Sequence, residues 1–493
     1  MQRVAIPRAT AVVCLCVLTF VSTTPRAQVS SDPAFEKLAA LVTAKMREYK
    51  VPGVALGVLN NGQATIRGFG VRNVSEAQPV DALTVFPLAS ISKTVTTTAV
   101  MRLVEQGKID LRAPVVKYLP DFRVGDGTAS RDVTIWHLLT HTSGWEGQLS
   151  GGDHGEETLA RFVADLATNM QLAPPGAAWS YNNAGFGVAG RIVEVVTGKP
   201  FGDAVSDLVF RPLALKLAFT RIGDIVVFPF AIGHVGPPAA RPDDPPGPLN
   251  RFTLGSTLPA GGVAMAMTEL LEYARFHMGD GTNLHGERVL TRAALAQMQT
   301  AQIRKQGYDE DMGLGWHVRT VGGIRTVAHG GTFTGHVLLL ELVPDKNFAM
   351  AILTNAGSGW RLIQDVEREA LREYHGARFS SNQAIGHRGL NETLPTASAL
   401  PQQPDLAAYV GRYERPMNTV DVRVESGHLV VQVRPRSRDA DAPMPVVFYG
   451  PDRAFVTAGG EQNASVEFLR NGSGAVQWVR LTGRIARRIE DRP

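Results

Sequence analysis

The sequence predicts an α+β fold: one antiparallel sheet flanked by helices, followed by a small C-terminal all-β, barrel-like domain. Three observations predict it. Strand-like apolar runs stand near both ends of a helix-rich stretch. A segment rich in Ser, Asn, Gln and Pro, Phe379–Pro404, then interrupts the chain. Beyond it the apolar pattern changes from helical spacing to alternation. The 493 residues accordingly divide into a leader (1–27), a main domain (28–378), a linker (379–404) and an all-β domain (405–493).

The leader reads as an export signal. Arg3 and Arg8 precede an apolar run from Ala11 to Val21, and small residues lead to Ala27, a cleavage site before Gln28. A secreted or periplasmic protein is expected. The run is shorter than the ~20 apolar residues a bilayer span needs, and no later stretch is longer, so no stable membrane span is expected. Cys14 and Cys16 both lie in this run, so the mature chain has no cysteine for a disulfide or for thiol catalysis. The formal net charge is +4, and three arginines (Arg3, Arg8, Arg26) leave with the signal. What remains is no electrostatic footprint for nucleic acid. Arg480, Arg484, Arg487, Arg488 and Arg492 read as a solvated strand and tail. With 44% hydrophobic and 19% charged residues, a large core is available.

The elements follow in order. Asp32 caps a helix whose first turn takes Pro33 and whose apolar positions are Phe35, Leu38, Ala39, Val42, Met46 and Tyr49. Val54–Leu59 and Ala64–Phe69 flank Asn60-Asn61-Gly62, a hairpin signal. A helix starts near Ser90, with Val95, Ala99, Val100, Leu103 and Val104 on one face and Gly107 at its end. Val188, Ile192 and Val195 mark a further helical face. The Pro-rich run Gly236–Pro248 reads as a surface loop. Val337–Val343 and Phe348–Leu353, joined by Pro344-Asp345-Lys346-Asn347, read as two buried neighbouring strands, and a helix over Gly359–Tyr374 closes the domain. In the tail, Val420, Val422 and Val424 alternate, Ser426-Gly427 turns, and Leu429, Val431 and Val433 alternate. Val466 and Phe468, then Asn471-Gly472, then Val476 and Trp478, repeat the device.

Three short motifs carry chemistry. Ser90-Ile91-Ser92-Lys93 is the chain's only Ser-x-x-Lys. Residues three apart share a helix face, so the lysine nitrogen can reach the hydroxyl. A serine needs a neighbouring base to become a nucleophile, and a desolvated lysine can be one. A serine at a helix start also has its N–H at the positive end of the dipole, where an oxyanion is favoured. In isolation such a pair is more simply a surface Ser and Lys. Tyr181-Asn182-Asn183 is the only Tyr-x-Asn, in a turn-rich lead; Tyr181 can accept the serine proton or pass one to a leaving group, and Asn183 can bond the acyl side chain of a substrate. Alone, it would be a loop tyrosine packed on the core. His329-Gly330-Gly331 stands before the buried strand pair. Glycines there let a substrate backbone approach, and Thr332 can offer a second oxyanion N–H. His234-Val235-Gly236, His277-Met278-Gly279 and His387-Arg388-Gly389 also match His-x-Gly, so the choice of His329 rests on its place and order.

The order Ser-x-x-Lys, Tyr-x-Asn, His-x-Gly resembles the penicillin-recognising serine hydrolases: class C β-lactamases, D-alanyl-D-alanine carboxypeptidases, β-lactamase-like esterases and D-aminopeptidases. Trp136–Gly144, Pro259-Ala260-Gly261-Gly262 and Gly313-Leu314-Gly315-Trp316 are similar to that family's supporting segments, and the likeness runs from Phe35 to Tyr374. The tail, opening at Tyr409-Val410-Gly411-Arg412-Tyr413, resembles a lipocalin-like domain. The resemblance implies a β-lactamase-like sheet and an acyl-enzyme hydrolase needing no cofactor. Ser90 is then the nucleophile and Lys93 and Tyr181 its proton-transfer partners. Asn183, His329, Gly331 and Thr332 bind substrate, with the Ser90 and Thr332 N–H groups as the oxyanion hole. Class C β-lactamases carry Lys where His329 stands, so this chain looks more like the carboxypeptidase, esterase or aminopeptidase branches. The expected partner is a small-molecule or peptide substrate, an amide or ester: a D-amino-acid compound, a β-lactam or a simple ester. The competing expectation is a penicillin-binding-type sensor that acylates without efficient turnover. A metal hydrolase built on His137 and His141 lacks a following Glu and a third ligand; both rings more simply satisfy local backbone groups.

Overall fold

A computed structural model describes residues 32–147, 157–235, 247–249, 258–305, 310–379, 398–458 and 464–489. The export signal, most of the Pro-rich run and most of the linker fall outside the described residues. Among the described residues no helix is long and apolar enough to cross a membrane.

The main domain is built on an antiparallel sheet drawn from both its ends. β1 (Gly53–Asn60) and β2 (Gln63–Gly70) form a hairpin; Asn61 and Gly62 take φ of 48° and 81°, the left-handed pair such a two-residue turn requires. Two short pairings lie outside this sheet: β3 (Val85–Pro87) and β4 (Ala218–Phe219) flank β7 (Ala264–Ala266), and β5 (Gly233–Val235) pairs with β6 (Gly247–Leu249). The large sheet resumes with β8 (Ile303–Arg304), β9 (Glu310–Met312), β10 (His317–Val321), β11 (Ile324–Phe333), β12 (His336–Val343) and β13 (Phe348–Thr354), in the order β2-β1-β13-β12-β11-β10-β9-β8. β6 corrects the loop expected up to Pro248. A two-stranded ribbon tolerates Pro248 because its missing N–H can face away from the partner.

Both faces of the sheet are covered, so β12 and β13 are buried along their whole length. On one face Val54, Leu56, Met350 and Ile352 pack under helices Pro33–Tyr49 and Gly359–His375. Asp32 caps the first of these, its carboxylate accepting from Ala34 N and Phe35 N. On the other face Ala55, Leu59, Ala351 and Leu353 meet the helical half of the domain. Its central helix, Ser92–Glu105, is buried almost all round rather than on one face. Helix Asn183–Thr197 buries Val188 and Ile192 but leaves Val195 45% exposed, while its neighbour Val196 packs against the core.

The C-terminal domain is a closed eight-stranded barrel: β14 (Gly411–Arg415), β15 (Asn418–Glu425), β16 (His428–Pro435), β17 (Met444–Gly450), β18 (Arg453–Val456), β19 (Ser465–Arg470), β20 (Val476–Leu481) and β21 (Arg484–Ile489). Val420, Val422, Leu429, Val431, Val466, Phe468 and Val476 fill it, while Val424 lies past the core and is exposed. Trp478 departs from the alternation. A β-bulge sets Leu469 opposite Trp478 but Arg470 opposite Val476, so Trp478 turns outward. There it joins Leu172, Ala173, Ala178, Leu469 and Ile485 in a small apolar seam between barrel and main domain, and its Nε1–H donates to the Leu172 carbonyl at 2.7 Å.

Candidate active site

Ser90 sits in a single 3-10 turn, Ala89–Ile91, directly before the Ser92–Glu105 helix. The helix expected to begin at Ser90 therefore begins two residues later. Ala89 has φ of 47°, a left-handed conformation that costs a non-glycine residue ~1–2 kcal/mol. Surrounding bonds hold it there: Leu88 N donates to Val263 O at 2.8 Å, and Val263 N donates to Ser92 Oγ at 3.0 Å.

Lys93 is fully buried, and its Nζ donates to Ser90 Oγ at 3.1 Å and to the Ala260 carbonyl at 2.8 Å. Burial drives its pKa well below the usual lysine value, and the positive charge of Arg484 acts in the same direction. A neutral amine within reach of a hydroxyl is a base. The flanking motifs grip this helix. Thr96 Oγ1 donates to Pro259 O at 2.6 Å, and a Cβ on Gly315 would come 2.3 Å from Thr97 Oγ1.

Tyr181 reaches the same place from the loop before helix Asn183–Thr197, with its ring centre 4.9 Å from Lys93 Nζ. Burial pushes its phenol up to about 12, although the Ser90 hydroxyl and Arg484 pull the other way. At neutral pH it is a phenol, a proton donor rather than a standing base. Asn182 fixes the loop: its Nδ2 donates to Ser143 Oγ at 3.0 Å and Trp145 O at 2.9 Å, and its Oδ1 caps the helix at Gly185 N. Its backbone N–H donates to His141 Nδ1 at 3.0 Å, and the His141 ring packs 4.5 Å from that of Tyr181. Burial, before any other cause, holds the His141 pKa well below the usual histidine value, in keeping with an Nδ1 that accepts. His137 instead closes a capping box with Thr134. Asn183 opens the helix, and its Oδ1 is buried with no hydrogen-bond partner among the described residues. An open acceptor of this kind favours a ligand N–H.

β11 supplies the other wall. It pairs with β12 over Val327–Phe333 but with β10 only over Ile324–Ala328. His329–Thr332 therefore leave one edge unpaired by β10, and that edge meets the Ser90 turn. A Cβ on Gly331 would lie 2.5 Å from the Leu88 carbonyl and 3.2 Å from Ala89 Cβ, so only glycine allows this approach. Thr332 is exposed. His329 is buried, its ring 5.0 Å from His317 and 6.5 Å from Tyr181. Behind it His317 Nδ1 lies 2.9 Å from Glu310 Oε1, and Glu310 also pairs with buried Lys305.

The fold thus gathers Ser90, Lys93, Tyr181, His329 and Gly331, with Asn183 and Thr332 at the border. Sequence reasoning missed Arg484 and Glu146. The Arg484 guanidinium lies 5.8 Å from the Tyr181 ring centre and 3.5 Å from Glu146. Arg480, also read as solvated, is fully buried against Glu467. No local signal marks either arginine, because their partners come from the other domain or the opposite strand.

A family model described as Beta-lactamase matches residues 38–372. Penicillin-binding protein 4 of Amycolatopsis lactamdurans is 33% identical over 75% of this chain and 94% of its own. Esterase EstB of Burkholderia gladioli is 36% identical over 36% of this chain and 50% of its own. The crystal structure of SurE with D-Leu superposes with a TM-score of 0.74 at 25% identity, covering 92% of this chain and 99% of that one.

Proposed function

This chain belongs to the beta-lactamase family, and from that premise we propose that it is an exported serine hydrolase that opens an amide or ester through an acyl-Ser90 intermediate. The observation that carries the reading is the 3.1 Å contact between Lys93 Nζ and Ser90 Oγ inside a pocket whose burial holds the lysine pKa well below its usual value. Lys93 takes the Ser90 proton as Oγ adds to the substrate carbonyl. The oxyanion is received by the Ser90 and Thr332 N–H groups. Tyr181 gives its proton to the leaving nitrogen or oxygen and is refilled from the Lys93 ammonium, so the centre returns to neutrality as the acyl-enzyme forms. Water then adds to the acyl carbon, losing its proton to the same pair, and Ser90 leaves with it. Asn183 Oδ1 is placed to accept an N–H of the acyl part.

The named relatives support carboxyl chemistry of this kind: one is an esterase, one a penicillin-binding protein, and one is described with D-Leu. The test is a mass-shift and turnover screen of wild type and Ser90→Ala against penicillins, D-amino-acid peptides and short-chain esters. A transient acyl adduct with product release, absent from Ser90→Ala, is the expected result. An adduct that persists without release supports the acylating sensor instead, and no adduct with any class overturns the reading.

A further inference from the structure

The barrel does more than sit beside the main domain: it delivers a residue to the catalytic centre. Its β20–β21 turn, Thr482-Gly483, is bonded on both sides to the segment that carries the catalytic phenol. Tyr181 N donates to Gly483 O at 2.9 Å, and Ile485 N donates to Ser180 Oγ at 3.2 Å. Arg484, between these two anchors, therefore has a fixed backbone. Its guanidinium stands at the Tyr181 ring, and its charge is felt by both Tyr181 and Lys93.

That guanidinium is under-used. Among the described residues its one ion pair is with Glu146 at 3.5 Å, well beyond the ~2.7–2.9 Å of a good charge-assisted bond. The Arg484 side chain is 24% exposed, so a ligand can reach it, and the buried Glu146 has one oxygen with no hydrogen-bond partner among the described residues. A second arginine, Arg415, lies close enough for its charge to act on both Glu146 and Arg484, and its Nε is committed to Asn418 at 2.7 Å. Two permanent cations thus face one carboxylate. The local excess is positive, part-buried and beside the Tyr181 ring. Such an excess is costly without an anion. Next to it, Arg415, Asn418, Leu481 and Thr482 form part of the wall of a cavity of about 570 Å³ at this end of the barrel, lined also by Met444 and Val466.

We propose that the C-terminal barrel supplies the anion subsite of the catalytic centre, with Arg484 binding a free carboxylate on the leaving side of the substrate's scissile bond. The substrate class is then an acyl amino acid, peptide or ester analogue whose leaving group bears a carboxylate, and the barrel cavity has room for an apolar side chain beside it. The span from the Tyr181 ring to Arg484, 5.8 Å, is about one to two residues of extended chain at ~3.5 Å each. Specificity in this protein is accordingly divided, with bond cleavage in one domain and recognition of charge in the other.

This inference rests on the acyl-Ser90 reading, and one experiment separates their failures. The full-length protein, Arg484→Gln and Arg484→Lys are assayed with benzoylglycyl-mercaptoacetate, a thioester whose leaving group bears a carboxylate, and with its methyl ester. The readout is the ratio of kcat/KM for the two, which a general loss of fold or activity leaves unchanged. Wild type is expected to favour the carboxylate about tenfold or more, Arg484→Gln to bring the ratio near one, and Arg484→Lys to keep part of it. A wild-type ratio near one, or a preference that survives Arg484→Gln, overturns the subsite while the hydrolase reading stands. Failure of wild type to cleave or be acylated by either thioester, or by any compound of the wider screen, overturns both.

Discussion

Gly331 and Leu88 are in backbone contact: a Cβ on the glycine would stand 2.5 Å from the Leu88 carbonyl oxygen. β11 touches the turn that carries Ser90 because there is no side chain between them. Gly331→Ala must push the strand away from that turn, and with it Thr332. We expect kcat to fall by about 10²–10³, the range for losing one oxyanion donor, with Ser90 still able to react slowly with a small activated ester. Kinetics with p-nitrophenyl acetate measure it; near wild-type kcat in a folded Gly331→Ala protein would show that the contact is not needed.

Ser90→Ala removes the attacking atom and leaves its half-buried site otherwise filled. Turnover should fall by on the order of 10⁶, and thermal stability should stay within ~0.5 kcal/mol. A residual rate within tenfold of wild type would move the nucleophile elsewhere.

Tyr181→Phe keeps the ring against His141 and Lys93 but deletes the proton donor. A loss of about 10²–10⁴ in kcat is expected, typical of removing a general acid–base. Slow acyl-enzyme formation with amides and unactivated esters, largely spared with an ester whose leaving group needs no proton, would locate the defect in single-turnover experiments. An unchanged rate would strip Tyr181 of its assigned role.

Lys93 links stability to pH. Its folded-state pKa is lowered by burial, while the unfolded chain titrates near 10.5. Between the lowered value and 10.5 the unfolded state binds more protons, so stability rises with pH across that window. Lys93→Met should therefore abolish turnover yet flatten this slope and raise Tm at neutral pH, by about 2–4 °C for each kcal/mol recovered. Activity of the wild type should fall as pH drops through the lowered lysine pKa. Calorimetry from pH 6 to 10 on both proteins decides it, and a Lys93→Met protein with lower Tm at every pH would contradict a lysine pKa lowered by burial.

Much of this architecture is legible along the chain where the physics is local. Asn61-Gly62 and Ser426-Gly427 adopt the left-handed turns their residue types favour, Asp32 caps its helix, and the buried strands β12 and β13 read as continuous apolar runs. Ser90 and Lys93 are one helical turn apart, so their proximity needs only the helix. What was illegible depends on distant partners. Trp478 faces outward because of a bulge that no alternation reveals. Arg484 and Arg480 look like a charged tail until their partners, Glu146 and Glu467, arrive from another domain and from the neighbouring strand. Helix Ser92–Glu105 carries a polar run of threonines yet that run is wholly buried, because Thr97 and Thr98 turn their hydroxyls onto the helix's own carbonyls, Thr94 onto Ile91 O just before it, and Thr96 onto Pro259 O.

The bond from Tyr181 N to Gly483 O makes the last hairpin of the barrel a strap on the catalytic loop. During synthesis the serine and lysine can find each other long before that hairpin leaves the ribosome, but the phenol is pinned only when it has closed. A molecule cut short by its final strands would carry a nucleophile and base in place and still lack its proton donor's restraint, so full reactivity is reserved for molecules whose far end has folded.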